Sequence, residues 1–231
     1  KNQYPELELS CGGIVDFMGD DRDKVKRDTE CYLEFLEWAK NNCGTRVMNF
    51  FTGAMVRPDA HYYEFDRNGS GMAEDINYER STAGLNIIGD RAAELGVLIA
   101  LETHNCYLHD LPKACRRLLR ETGHDAVGIN LDMGNIVINK NGCDTREAVD
   151  IIGEDKIYYA HLKNVLMYKK DIFMSTRLEE GHIDNTYILS RIGQSVRSGV
   201  VTVEYACPGD GIIAAKRDME YVKFMRDWLQ I

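Results

Sequence analysis

The chain has 231 residues, 44% of them hydrophobic, enough for one large α/β domain with a sizeable buried core. Its formal charge is −9, from 28 Lys+Arg against 37 Asp+Glu. That balance works against a broad phosphate-binding surface, and so against nucleic acid as a partner. Seven cysteines are scattered without a CxxC pair, which excludes a zinc knuckle or redox dithiol and leads us to expect reduced thiols in a cytoplasmic protein. The opening KNQYPELELSC lacks a basic-then-apolar leader pattern, and no apolar run reaches membrane-spanning length, so no membrane partner is expected.

In chain order, a β-type run at Leu7–Cys11 precedes DKVKRDTECYLEFLEWAKNN, where Val25, Tyr32, Phe35, Leu36 and Ala39 share one helical face. A second β-run, Val47–Phe51, leads to a long connection and then to AEDINYERSTAGLNIIGDRAAELG, a helix ended by Gly96. Val97–Leu101 follows, then a helix after Asp110 with Pro112 in its first turn, where the missing N–H is harmless. The remaining β-runs are Val127–Leu131, Ile157–Leu162 and Val200–Tyr205, and a last helix spans about Ala214–Leu229. The connections at 53–80 and 165–180 are long enough to cover a pocket.

Strands alternating with helices of ten or more residues imply right-handed crossovers and a parallel sheet. No linker or low-complexity tract divides residues 1–231, so a single domain is expected. The first strand is not followed by a Gly-rich phosphate loop, and the last four strands end in polar, ligand-type residues. Both features favour a TIM (β/α)8-type barrel over an open nucleotide-binding sheet. Only six β/α units can be counted, where a closed barrel needs eight.

Side chains alternate across a strand, so Leu98, Ala100 and Glu102 point one way. By the same rule Gly128, Asn130 and Asp132 share a face, as do Tyr159, His161 and Lys163, and Thr202 and Glu204. Successive strands thus deliver Glu102, Asp132, His161 and Glu204 to one end of the barrel. A lone acid at a strand end is usually a helix N-cap, and a lone histidine usually a core residue. Four together call for a cation, since clustered carboxylates otherwise raise one another's pKa. Three oxygen donors and an imidazole suit Mn²⁺, Mg²⁺, Co²⁺ or Zn²⁺ with positions left for substrate.

The segments LETHN, NLDMGN, YAHLKN, EEGHID and VTVEY resemble the xylose-isomerase-like TIM-barrel superfamily, in particular its sugar (phosphate) isomerase/epimerase branch. The resemblance runs in order from about residue 25 to the C-terminus. It implies one divalent ion, Mn²⁺ foremost, on Glu102, Asp132, His161 and Glu204, and a chain that begins near the third barrel strand. It also implies that Glu102 and Glu204 act as the acid/base pair, removing a proton beside a carbonyl to give a metal-stabilised enediolate. His104, two residues beyond Glu102, is an additional candidate base or a hydrogen bonder. Asn135 stands where many epimerases carry a substrate-binding His, and Met167 and Tyr168 occupy the stretch where they carry an arginine. The family's substrate contacts therefore do not transfer to this chain; the candidates for substrate binding here are Asn135, Lys163, His109 and His61, with Arg57, Tyr62 and Tyr63 beside His61. For Lys163 a structural ion pair is the equal alternative, and for His109 and His182 a loop or cap position.

The reading is a metal-dependent sugar isomerase or epimerase acting on a small sugar or sugar derivative, with a homo-oligomer left open. The alternative is a metal-dependent lyase or dehydratase of keto-sugars, keto-cyclitols or glycosides, which starts with the same proton removal. A non-catalytic sugar-binding subunit is the third reading. An apurinic-site endonuclease would need further histidines, and Asn135 replaces one of them.

Overall fold

The computed structural model describes residues 9–169, 172–193, 196–204 and 209–231. Its main sheet has six parallel strands: β1 (Cys11–Ile14), β2 (Val47–Phe51), β3 (Leu98–Glu102), β4 (Val127–Asp132), β5 (Ile157–Leu162) and β8 (Val201–Val203). They pair in the order β1-β2-β3-β4-β5-β8. Five of these six strands follow the expected positions. The first lies later than expected: of the run at 7–11 only Cys11 is in the strand, Leu9 and Ser10 precede it, and residues 7 and 8 lie outside the described residues. The end of the last run, Tyr205, also lies outside them.

Between the strands come α1 (Arg22–Trp38), α2 (Asp75–Leu95), α3 (Pro112–Thr122), the short α4 (Met133–Ile138) and α5 (Thr145–Ile152). Helices α6 (Asn185–Ile192) and α7 (Gly211–Leu229) complete the set. Their ends follow local chemistry. The Asp21 carboxylate accepts the Lys24 N–H at 2.9 Å to start α1, and Gly96, at φ 62°, ends α2 in the left-handed region that glycine tolerates. Asp210 caps α7 through the N–H groups of Ile212 and Ile213, so that helix starts three residues before the expected Ala214.

One face of the sheet packs on the helices through a large core that includes Leu36, Phe50, Leu85, Ile99, Ile129 and Ile152. The other face holds a small cluster of Val47, Ala100, Tyr158 and Tyr159. This is half of an α/β barrel, with helices outside and strand residues of alternating parity pointing in. Among the described residues β1 and β8 are its edges.

A β-bulge sets the site's register. Ile129 pairs with Ile157 but Asn130 pairs with Tyr159, which leaves Tyr158 as the extra residue and brings His161 opposite Asp132. The ring of Tyr158 lies over Gly128, where a Cβ would come within 2.3 Å of Cδ2, so the bulge depends on glycine there. Segment 165–180 is not the open loop expected. An antiparallel hairpin of β6 (Asn164–Lys169) and β7 (Ile172–Thr176) occupies most of it. It begins one residue after β5, so the two strands read as a single run.

Candidate metal centre

Each ligand is the inward-facing residue at or just beyond the C-terminal end of its strand. Glu102 closes β3, Asp132 closes β4, His161 is the penultimate residue of β5, and Glu204 follows β8. The N–H of Glu204 still donates to Leu162 O at 2.9 Å, which ties it to the β5 end. From His161, Nδ1 lies 3.4 Å from Glu204 Oε2, 3.6 Å from Glu102 Oε2 and 3.8 Å from Asp132 Oδ2. One donor atom from each of the four residues falls within 4.8 Å of the others.

These distances fit a shared cation. Donors bound to one ion at about 2.1 Å stand roughly 3 to 4 Å apart. The Nδ1 of His161 is buried and has no hydrogen-bond partner among the described residues, an arrangement that an ion would satisfy. The four side chains therefore fit a divalent ion in an oxygen-rich site with one imidazole.

Asp132 combines the two roles weighed for a strand-end acid. Its Oδ1 accepts the Asn135 N–H at 3.2 Å and caps α4, while Oδ2 faces His161. Thr103 holds the same strand end, its hydroxyl donating to Asp132 O at 3.0 Å and accepting the Asp132 N–H at 2.8 Å.

Two residues not anticipated from the sequence orient Glu102. Asn49 Nδ2 donates to Glu102 Oε2 at 2.6 Å, and Asn130 Nδ2 donates to Asn49 Oδ1 at 3.1 Å. Asn135 reaches the other oxygen, Oε1, at 3.4 Å. The signal was present: Asn49 is the one polar residue in the strand VMNFF, and Asn130 shares the inward face of Asp132.

The electrostatics follow from burial and proximity. Burial pushes the Asp132 carboxyl up, against the pull of His161 and Lys163. Glu204 is held far below the usual carboxylate range, chiefly by the His161 imidazole 3.4 Å from its Oε2 and then by Lys163. Burial lowers His161, but Asp132, Glu204 and Glu102 outweigh it and carry the imidazole up to about 9.

The other candidates divide. Lys163 and Asn135 join the cluster. His104 lies beyond the end of β3, with Nδ1 2.9 Å from Asn105 O and its ring edge-on to Phe51 and Tyr107. His109 is fully buried, with Nδ1 against Glu102 O and Nε2 accepting the Thr52 N–H at 3.4 Å. That corrects the expectation of a substrate contact, because both ring nitrogens are used behind Glu102; burial also takes its pKa down to about 4. His61 is exposed on the 53–74 connection and stacks on Tyr63, and Arg57 pairs there with Asp59 at 2.9 Å. His182 Nδ1 accepts the Met167 N–H at 3.1 Å and so braces the β6–β7 hairpin. The 53–74 connection and the hairpin meet around a cavity of 280 Å³ lined by Tyr63, Phe65, Asp66, Ile138, Lys140 and Phe173.

A half-barrel with ligand-type side chains at neighbouring strand ends defines an α/β barrel-type protein with a cluster that could hold a metal ion. The chain belongs to the xylose isomerase-like TIM barrel family, whose model matches residues 4–228. An inosose dehydratase from Lacticaseibacillus casei is 30% identical over 149 residues, 64% of this chain and 44% of that protein. The chain thus spans under half the length of the curated relatives it matches. A xylose isomerase-like TIM barrel protein from Mycobacterium smegmatis, solved in complex with magnesium, superposes with a TM-score of 0.75 at 16% identity, covering 97% of this chain and 75% of that one. An L-ribulose 3-epimerase superposes with a TM-score of 0.72 at 16% identity, covering 97% and 76%. Epimerases and dehydratases therefore share this fold. Among the described residues no helix is long and apolar enough to cross a membrane.

Proposed function

We propose that this chain carries the active centre of a divalent-metal-dependent enzyme that removes a proton beside a carbonyl of a sugar or sugar derivative, as an isomerase or epimerase. The observation that carries the reading is the convergence of Glu102, Asp132, Glu204 and the unpartnered His161 Nδ1. These four residues would hold the ion, with Mn²⁺ the first candidate for so oxygen-rich a set. When bound, the cation supplies Lewis-acid polarisation of the substrate carbonyl, which acidifies the neighbouring C–H.

The chain's own groups would do the rest. The Glu204 side chain is 40% exposed and open to the mouth, whereas Glu102, at 5%, is pinned by Asn49 and Asn135. This asymmetry supports Glu204 as the carboxylate that meets substrate and takes the proton, with Glu102 as its partner in returning one. His104 is the further candidate for proton transfer.

A second reading is supported by the likeness to inosose dehydratase: the same proton removal, followed by loss of a hydroxyl β to the carbonyl as water. Incubation with Mn²⁺ in D₂O, using ketoses and inososes, separates the two. Deuterium in a recovered stereoisomer supports the epimerase, and a dehydrated product the lyase. Absence of C–H exchange with every keto-sugar and inosose would contradict both.

A further inference from the structure

The ammonium of Lys163 lies inside the carboxylate cluster. Its Nζ is 2.7 Å from Asp132 Oδ2, donates to Glu204 Oε2 at 2.9 Å and donates to Asn135 Oδ1 at 3.2 Å. An ammonium has three protons and no acceptor, and three acceptors surround this one. Two of its protons are given to Glu204 and Asn135, and the Asp132 carboxylate holds it as an ion-pair partner.

The position is built into the fold. The lysine stem crosses the first turn of α4 over Gly134, where a Cβ would stand 2.4 Å from Cε, 2.7 Å from Cγ and 2.8 Å from Cδ. The backbone of Lys163 is anchored as well, its carbonyl accepting from Asn185 Nδ2 at 3.3 Å.

The charges give this placement a purpose. Three carboxylates and one divalent ion leave a net single negative charge, and Asp132, with no exposed side-chain surface, is poorly placed to shed it to water. One lysine brings the sum to zero. Its charge attracts the same oxygens that a cation needs, so it stabilises them when metal is absent and opposes metal when it arrives.

We propose that Lys163 is the fixed positive charge of the metal centre: a positioning residue that holds Asp132 and Glu204 and competes with the cation for them. The inference rests on the metal-site reading above. Its test is the Mn²⁺ affinity, by calorimetry, and the metal-free melting temperature of the wild type, Lys163→Met, Lys163→Arg and Gly134→Ala. Lys163→Met is expected to bind Mn²⁺ about tenfold tighter or more, because a nearby like charge is gone. It is also expected to melt lower without metal and to recover with Mn²⁺. Lys163→Arg, which keeps the charge, should stay within about threefold of the wild type. Gly134→Ala displaces the stem without removing the charge and should shift affinity in the direction of Lys163→Met, which keeps the test open if the latter fails to fold. Unchanged or weaker binding in both Lys163→Met and Gly134→Ala overturns the inference. A wild type that binds no Mn²⁺, Mg²⁺, Co²⁺ or Zn²⁺ overturns the metal-site reading itself, and the inference with it.

Discussion

Asn49 on β2 donates its amide to Glu102 on the neighbouring β3 at 2.6 Å, and this contact fixes one oxygen of a proposed metal ligand. Groups that orient ligands from outside the coordination sphere typically contribute about 10- to 100-fold in metal affinity. Asn49→Ala is therefore expected to weaken Mn²⁺ binding by about tenfold. The effect on folding should be small, because Asn49 is not in the large core. Calorimetric titration of the purified variant checks this, with its denaturant midpoint as the control.

Metal affinity should rise with pH. The metal-free His161 titrates at about 9, because three carboxylates outweigh its burial, so a proton must leave before the nitrogen can take an ion. The imidazole pKa is raised on folding, so its stabilising charge is fully present below about 6.5 and lost as pH rises through about 9. Across that window metal replaces the proton. Affinity is expected to climb by close to tenfold per pH unit between about 6.5 and 8, flattening near 9. A flat profile would remove the imidazole from the coordination set.

Asp110 makes a separate pH prediction. It is buried beside α3, accepts the Ser70 N–H at 3.2 Å through Oδ2 and leaves Oδ1 without a partner among the described residues. Burial carries its carboxyl up to about 7. A folded-state pKa above the unfolded value means the contribution is favourable below about 4 and lost as pH rises through 7. Asp110→Asn should therefore gain stability over the wild type between pH 5 and 8, by on the order of a few kcal/mol. Urea midpoints at the two pH values decide it.

Gly128→Ala tests the bulge. Its Cβ would meet the Tyr158 ring within 2.3 Å in a fully buried place, so the extra residue of β5 must shift and His161 with it. Overpacking of this kind destabilises by roughly 1–3 kcal/mol, and a loss of metal affinity should accompany the lower melting temperature.

The sequence shows the parts of this molecule that depend on periodicity. Alternation along LIALE, VGINLD and IYYAHL places Glu102, Asp132 and His161 on one face, and the structure brings them within a few ångströms of one another. It could not show that Asp132 divides its oxygens between a helix cap and the cluster, since one residue type serves both uses. Nor could it show His109 turning behind Glu102, because that depends on the path of the chain after β3. The hairpin after β5 was hidden because Lys163 alone separates two strands. The bulge at Tyr158 is likewise invisible in one strand, as register belongs to the pair.

The central claim is that Glu102, Asp132, His161 and Glu204 together hold one divalent ion. The most direct measurement is metal content and Mn²⁺ titration of the wild type beside His161→Ala and Glu204→Ala. The account predicts one tightly bound ion per chain in the wild type and loss of that ion in both variants, with folding retained by circular dichroism. Undiminished binding in a folded His161→Ala or Glu204→Ala variant would contradict it.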